Sequence, residues 1–121
     1  MKRIGLLGCG AIGTQIALAI DSGKISGILT HIFDDSKEAS SKLLLKLNSK
    51  PEIVENSHLL SSNPVDIVVE AASQDAVNDA GLSILQNKRD LMIMSAGALL
   101  DESIYDILSD ACKDFKKTIY L

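Results

Sequence analysis

Three glycines at fixed spacing, Gly8, Gly10 and Gly13, join the first apolar run of the chain to its first helical pattern. The run "RIGLLG" is short and continuous, as is typical of a strand covered on both faces of a sheet. Behind it, apolar residues recur at helical spacing, namely Ile12, Ile16, Ala19 and Ile20. This order of strand, glycine turn and helix predicts the opening of a βαβ unit.

The same opening also has features of a bacterial secretion signal, because it follows the basic "MKR" and contains "LLGC". Only five residues separate Arg3 from Cys9, whereas a signal needs an apolar segment of about 7–15 residues. Gln15 and Asp21 then interrupt the run before the roughly 20 apolar residues that a membrane span requires. The two cysteines, Cys9 and Cys112, show no disulfide or metal-ligand spacing, and we expect a cytoplasmic chain.

Short apolar runs alternate with helical patterns along the whole chain, which predicts an α/β fold with a doubly wound parallel sheet. Six strands are expected, near residues 3–8, 28–33, 53–54, 66–70, 91–94 and 117–121. Helices are expected over residues 11–23, 36–47, 74–87 and 101–115. The expected strand order is 3-2-1-4-5-6. The last helix has the clearest apolar stripe, formed by Ile104, Ile107, Leu108, Ala111, Cys112 and Phe115.

The glycine spacing G-x-G-x-x-G is a weak signal alone, but three features around it favour a dinucleotide-binding turn. It follows a predicted strand, it opens a predicted helix, and Asp34 ends the next strand, 21 residues beyond Gly13. The first glycine permits the tight turn, the second lets the pyrophosphate approach, and the third brings the helix onto the strand. The helix N-terminus offers free N–H groups to the phosphates. The predicted pyrophosphate site is Gly8, Gly10, Ala11, Ile12 and Gly13.

Two acidic residues, Asp34 and Asp35, end the second predicted strand. We expect Asp34 to accept hydrogen bonds from the adenosine ribose hydroxyls, and the alternatives are a solvated loop acid or an N-cap of the helix that starts near Ser36. A 2′-phosphate about 4 Å from a carboxylate is repelled by roughly 4 kcal/mol at an effective dielectric near 20. Lys37 is the only nearby cation. The acidic pair therefore predicts NAD as the cofactor, with NADP as the alternative.

The other half of the cofactor site is expected where the fourth and fifth strands end, because open α/β sheets bind ligands there. Those ends read "EAASQ" and "SAGA", and their small residues allow a ligand to lie against the backbone. Ordinary turn chemistry is the alternative interpretation. We expect Glu70 to cap or brace the turn that follows it, and a role as a catalytic acid is the alternative. The candidate residues are Ala71, Ala72, Ser73, Ser95, Ala96 and Gly97.

The composition argues against a nucleic-acid or anionic-membrane partner. Lysines and arginines total 12 against 16 aspartates and glutamates, and aromatic residues make up only 3% of the chain. The sequence contains neither a nucleophile–histidine–acid arrangement nor a metal-ligand motif. We therefore expect no catalytic residue and no metal in this chain, with structural roles for Cys9, for a packed His31 and for His58 in a polar loop.

With these pieces placed, the sequence resembles the amino-terminal NAD(P)-binding domain of the L-aspartate dehydrogenase family, a Rossmann domain related to that of homoserine dehydrogenases. The matching stretches are "IGLLGCGAIGTQIA", "FDD", "DIVVEAASQDAV" and "LMIMSAGALLDE". The last two discriminate better than the glycine turn, which most Rossmann enzymes share. The similarity covers essentially the whole chain and is least distinctive over residues 36–62.

The resemblance implies that the whole enzyme oxidises L-aspartate to iminoaspartate with NAD(P), a reaction that can feed NAD biosynthesis. It also implies that the catalytic histidine and most substrate contacts lie in a carboxy-terminal domain absent from this chain, and that the full-length enzyme can be a homo-oligomer. The chain ends inside an apolar run, so we expect residues 1–121 to be the first domain of a longer protein. Alone, this domain should bind the dinucleotide without turning over aspartate.

Two alternatives stay open at this point. The first is the cofactor domain of homoserine dehydrogenase or of another related oxidoreductase. The second is a stand-alone module that senses NAD and regulates a partner.

Overall fold

A computed structural model describes all residues, 1–121, and contains one sheet of six parallel strands in the order β3-β2-β1-β4-β5-β6. The strands are β1 (Arg3–Leu7), β2 (Ile28–Phe33), β3 (Glu52–Ile53), β4 (Ile67–Glu70), β5 (Asp90–Ile93) and β6 (Ile119–Tyr120). The helices are α1 (Ala11–Asp21), α2 (Lys37–Lys46), α3 (His58–Ser62), α4 (Gln74–Gln86) and α5 (Glu102–Phe115). The doubly wound fold, the six strands and their order are confirmed.

Two apolar cores lie on opposite faces of the sheet, and this explains why the central strands are continuous apolar runs. Helices α1 and α2 cover one face, where Leu6 and Ile32 have no exposed surface. Helices α3, α4 and α5 cover the other face, where Leu60, Val68 and Ile84 have none. None of the helices combines the length and the apolar character that a membrane span requires.

The buried face of α1 differs from the predicted stripe. Ile12 is 61% exposed at the start of the helix, and the residues that α1 buries are Gly13, Ala17 and Ile20. The helix approaches β1 through Gly13, whose missing Cβ permits contact with backbone atoms. The buried face of α1 therefore runs through Gly13, Ala17 and Ile20, and Ile12 lies outside it.

Three other details of the sequence-based expectation are wrong. His58 does not lie in a polar loop but begins the short helix α3, and Ala96–Leu100 forms a 3₁₀ segment after β5. Ile107 is 48% exposed on α5, which buries Leu108 and Ala111 instead. The short elements were missed because five residues are too few to establish a helical period.

The end of the sheet opposite the glycine turn is held by an ion pair. The Arg3 backbone N–H donates to Asp66 Oδ2 at 2.7 Å, and its guanidinium Nη2 donates to Asp66 Oδ1 at 3.0 Å. These bonds join the first residue of β1 to the residue just before β4. The hydrogen bonds from Arg3 lower the pKa of Asp66 to about 2.

Acid should weaken the fold between about pH 4 and pH 2 through Asp66. The folded-state pKa of about 2 lies below the value of about 3.9 for an unfolded aspartate. The stabilisation is therefore fully present above about pH 4 and is lost as the pH falls toward 2. Urea unfolding should give Asp66→Asn a lower free energy of unfolding than the wild type at pH 7. Between about pH 4 and pH 2 this free energy should fall less steeply in the variant than in the wild type.

Asp110→Asn is the matched control, because Asp110 is exposed on α5 and makes no side-chain hydrogen bond. The free energy of unfolding of Asp110→Asn should depend on pH in the same way as that of the wild type. If the free energy of unfolding fell as steeply with pH in Asp66→Asn as in the wild type, the stabilising role given to Asp66 would be contradicted.

Candidate functional site

The glycine turn between β1 and α1 is pressed against the turn that follows β4. Gly8 has a φ of +111°, and a Cβ added there would lie 2.7 Å from the backbone carbon and oxygen of Ala71. Both the positive φ and the close approach exclude other residues. A Cβ on Gly13 would in turn overlap the carbonyl oxygen of Gly8, so α1 rests directly on the turn.

Gly10 differs from the two other glycines of the turn because it faces open space. A Cβ added at Gly10 would have no heavy atom within 4 Å, and its φ of −78° is available to any residue. Gly10 is also the N-cap residue of α1, and it offers no side chain to the free N–H groups of the first helical turn. Neither packing nor backbone conformation therefore requires glycine here, and the space outside it is open.

The other long helices, unlike α1, have side-chain caps at their N-termini. Ser36 accepts a hydrogen bond from the backbone of α2, and Ser73 does the same for α4. Asp101 accepts two backbone hydrogen bonds at the start of α5. Among the helices of ten or more residues, only α1 presents its partial positive charge and unpaired N–H groups to the exterior. An anion of suitable size is the chemical complement of such a site.

Asp34 lies at the carboxyl end of β2, directly beside the glycine turn. Its Oδ2 accepts a hydrogen bond from the Cys9 backbone N–H at 2.7 Å, and its Oδ1 accepts one from the Ser36 N–H at 2.8 Å. The sequence predicts Asp34 as a ribose ligand, and its spacing contained no signal for this bracing contact to the turn. Each carboxylate oxygen has a second lone pair that remains free for a hydroxyl.

A cavity of about 180 Å³ opens beside the turn and collects several of the predicted residues. Gly8, Asp34, Asp35, Ala72 and Ser73 line it. Sequence reasoning missed its other polar residues, which are Ser57, Asp75 and Asp79. With four aspartates and no cation among its lining residues, the cavity favours neutral or hydroxyl-bearing groups over a further phosphate.

The predicted residues after β4 and β5 are brought together by Glu70. The Ala72 N–H donates to Glu70 Oε2 at 2.7 Å, and the Ser95 N–H donates to Glu70 Oε1 at 2.9 Å. The Ser95 hydroxyl adds a third bond, to Oε2 at 2.8 Å. The expectation that Glu70 braces the following turn is confirmed, and the same carboxylate also holds the turn after β5.

The remaining predicted residues lie along the same edge of the sheet. Ala11 and Ile12 are exposed in the first turn of α1, and Ala96 is exposed at the start of the 3₁₀ segment. Gly97 lies against the side-chain amide of Gln74, the first residue of α4. The Gln74 contact follows from packing between two turns, which the sequence pattern does not reveal.

Neither cysteine nor histidine chemistry accompanies this site. Cys9 is buried, and burial, with the nearby Asp34, raises the pKa of its thiol to about 12. It is therefore a neutral thiol at physiological pH and not a nucleophile. His31 Nε2 lies 3.2 Å from Glu52 Oε2, and His58 Nδ1 lies 3.0 Å from Ser83 Oγ, so both side chains connect neighbouring elements.

A family model described as "Homoserine dehydrogenase, NAD binding domain" matches residues 8–121. The chain belongs to this family. It is an NAD(P)-binding Rossmann domain, as the sequence predicts.

The similar proteins agree on the fold, and two of the three described here are named aspartate dehydrogenases. The chain is 75% identical over all of its 121 residues to an L-aspartate dehydrogenase of Nitrosopumilus maritimus, of which it spans 44%. A crystal structure of aspartate dehydrogenase from Thermotoga maritima superposes with a TM-score of 0.71 at 20% identity, covering 99% of this chain and 45% of that one. A probable dehydrogenase from Thermotoga maritima gives a TM-score of 0.83 at 23% identity, covering 98% of this chain and 34% of that one. The chain thus spans under half the length of the proteins it matches.

The NAD-binding domain contains no group of histidine, cysteine or acidic side chains that could hold a metal ion. A larger depression of about 600 Å³ lies at the opposite end of the sheet, lined by basic residues that include Lys2, Lys88 and Lys117. Its two carboxylates are already engaged, because Asp66 binds Arg3 and Asp90 accepts a hydrogen bond from the Thr118 N–H. The residues that the sequence predicts for the cofactor lie at the other edge of the sheet, which carries the glycine turn.

Substitutions at two glycines of the turn should have very different effects on stability. Gly13→Ala should lower the free energy of unfolding by at least about 2 kcal/mol, because the added Cβ overlaps the Gly8 carbonyl. Gly10→Ala should change it by less than about 1 kcal/mol, because the added Cβ meets nothing and only the preference for glycine over alanine at the N-cap is lost. Urea unfolding of the two variants measures both values, and equal losses would contradict the packing described for the turn.

Proposed function

We propose that this chain is the cofactor-binding half of an L-aspartate dehydrogenase and that its natural cofactor is NAD. The observation that carries the proposal is the open N-terminus of α1 at Gly10, which stands at the carboxyl edge of a parallel sheet. The name of the Nitrosopumilus maritimus relative supports the substrate assignment. Residues 1–121 form one domain in this proposal, and the substrate contacts belong to the remaining half of the enzyme.

The residues of the domain divide between the two halves of the dinucleotide. The backbone N–H groups of Ala11, Ile12 and Gly13 bind the pyrophosphate, and Gly8 and Gly10 let it approach. Asp34 binds the adenosine ribose hydroxyls while it holds the turn. The second set of residues supports the nicotinamide half: Ala71, Ala72, Ser73, Ser95, Ala96 and Gly97.

The domain contributes binding and orientation, and the bound cofactor supplies the hydride acceptor. The site contains no nucleophilic side chain paired with a general base, and the Cys9 thiol is protonated. The chain alone should therefore bind the dinucleotide without oxidising L-aspartate. Homoserine dehydrogenase is the second candidate, because the matching family model bears that description. Assays of the full reading frame with L-aspartate and L-homoserine distinguish the two.

The proposal also covers the cellular compartment and the oligomeric state of the enzyme. We infer a cytoplasmic protein, in keeping with two free cysteines. The full-length enzyme is a homo-oligomer in this proposal, and its mass in solution tests that statement.

The cofactor assignment is tested by the loss of binding in Gly10→Val. The side chain would occupy the space that the pyrophosphate needs, and nothing in the fold opposes it. Calorimetric titration with NAD should show an affinity at least about 100-fold weaker, equivalent to roughly 2.7 kcal/mol. Gln15→Val, at an exposed position of α1, is the matched control and should bind like the wild type. Retained affinity in Gly10→Val would refute the assignment of the turn to the pyrophosphate.

The preference for NAD is tested at Asp35, which is exposed beside the cavity. NADP should bind the wild type at least about tenfold more weakly than NAD, because its extra phosphate meets the acidic side chains. Asp35→Asn should raise the affinity for NADP several-fold and leave that for NAD within about twofold. Asp106→Asn, on the exposed surface of α5, should leave both affinities unchanged. Equal affinity of the wild type for both cofactors would overturn the preference.

A further inference from the structure

Glu70 is a charged side chain with no exposed surface at the end of β4. Its carboxylate forms no ion pair, since the pairs in the structure are Arg3–Asp66, His31–Glu52 and Lys42–Glu38. Three polar hydrogens satisfy it instead, two from backbone N–H groups and one from a hydroxyl. A buried charge that is solvated by dipoles and not by a counter-ion keeps its long-range field.

The three donors belong to the two turns that the nicotinamide half of the site requires. Ala72 lies in the turn between β4 and α4, and Ser95 lies between β5 and the 3₁₀ segment. Glu70 therefore contacts two of the residues assigned above to the cofactor without itself reaching the surface. Any change in its charge or shape acts on the ligand through those turns.

From this arrangement we infer that Glu70 is a positioning residue that fixes the nicotinamide half of the site and biases it toward the oxidised cofactor. The inference rests on the function proposed above, because it takes the nicotinamide to lie over the turns after β4 and β5. The oxidised nicotinamide ring carries a positive charge and the reduced ring is neutral. A buried negative charge behind the ring therefore stabilises NAD+ and leaves NADH unaffected.

The charges around Glu70 do not cancel this bias. Asp75 lies in the first turn of α4 and adds negative charge on the same side. The N-terminus of α4 contributes a partial positive charge of roughly half a unit, which is smaller than the full charge of the carboxylate. No lysine or arginine lines the cavity beside these turns. Replacing Glu70 by an uncharged isostere therefore removes the dominant buried charge at this edge.

The test is a comparison of three ligands on the wild-type chain and on Glu70→Gln. NAD+ and NADH share the nicotinamide half, whereas ADP-ribose lacks the ring and reports on the adenosine half. Glu70→Gln should lower the affinity for NAD+ by a factor about 3 to 10 times larger than the factor for NADH, because only NAD+ interacts with the lost charge. Its affinity for ADP-ribose should stay within about twofold of the wild-type value. Glu102→Gln, at an exposed position of α5, is the matched control and should leave all three affinities unchanged.

Ser95→Ala separates the charge from the hydrogen bonds and keeps the inference testable if Glu70→Gln unfolds. It removes one of the three bonds and leaves the carboxylate in place. The affinities for NAD+ and NADH should fall together by several-fold, so that their ratio is unchanged. The affinity for ADP-ribose should stay at the wild-type value. A changed NAD+ to NADH ratio in Ser95→Ala would overturn the inference, as would a parallel loss of ADP-ribose binding.

Two further results have distinct meanings. Equal weakening of NAD+ and NADH in a folded Glu70→Gln variant would show that the carboxylate is merely structural, and the inference would fail. A wild-type chain that binds none of the three ligands would instead contradict the proposed function itself.

Discussion

The structure depends on one backbone contact, in which the turn after β1 is held between the turn after β4 and the first turn of α1. Gly8 touches the backbone of Ala71 on one side and Gly13 on the other. No side chain fits in either gap. Because the three segments meet through backbone atoms, the end of the sheet is closely packed while the space outside Gly10 stays open. The fold and the binding surface therefore arise from the same constraint.

The sequence predicted the architecture because its strongest signals are periodic. Continuous apolar runs identified the strands, and their alternation with helical patterns determined the strand order. The pattern was misleading where an exposed apolar residue has a role outside the core, as at Ile12, which is 61% exposed beside the turn. It also missed α3, since five residues establish no period. Such short elements depend on the packing around them.

For the site, the spacing of glycines and acids predicted which residues meet at one edge of the sheet but not the hydrogen bonds that join them. The bond from Cys9 to Asp34 spans 25 residues, and so does that from Ser95 to Glu70. Contacts at such separations are determined by strand register, which places the ends of β1, β2, β4 and β5 side by side. A single sequence without its fold contains no signal for them.

Asp34 braces the glycine turn in addition to its proposed role at the ribose, and this limits how the cofactor preference of such a domain can be redesigned. A charge-reversing replacement of Asp34 removes the acceptor that holds the Cys9 N–H, so the turn that should receive the pyrophosphate loosens at the same time. Asp35 is exposed and makes no such bond, so it can be changed without disturbing the turn. Cofactor engineering should therefore begin at the second acid and leave the first in place. If Asp34 binds the ribose as proposed, recognition of the ribose and the shape of the glycine turn cannot vary independently.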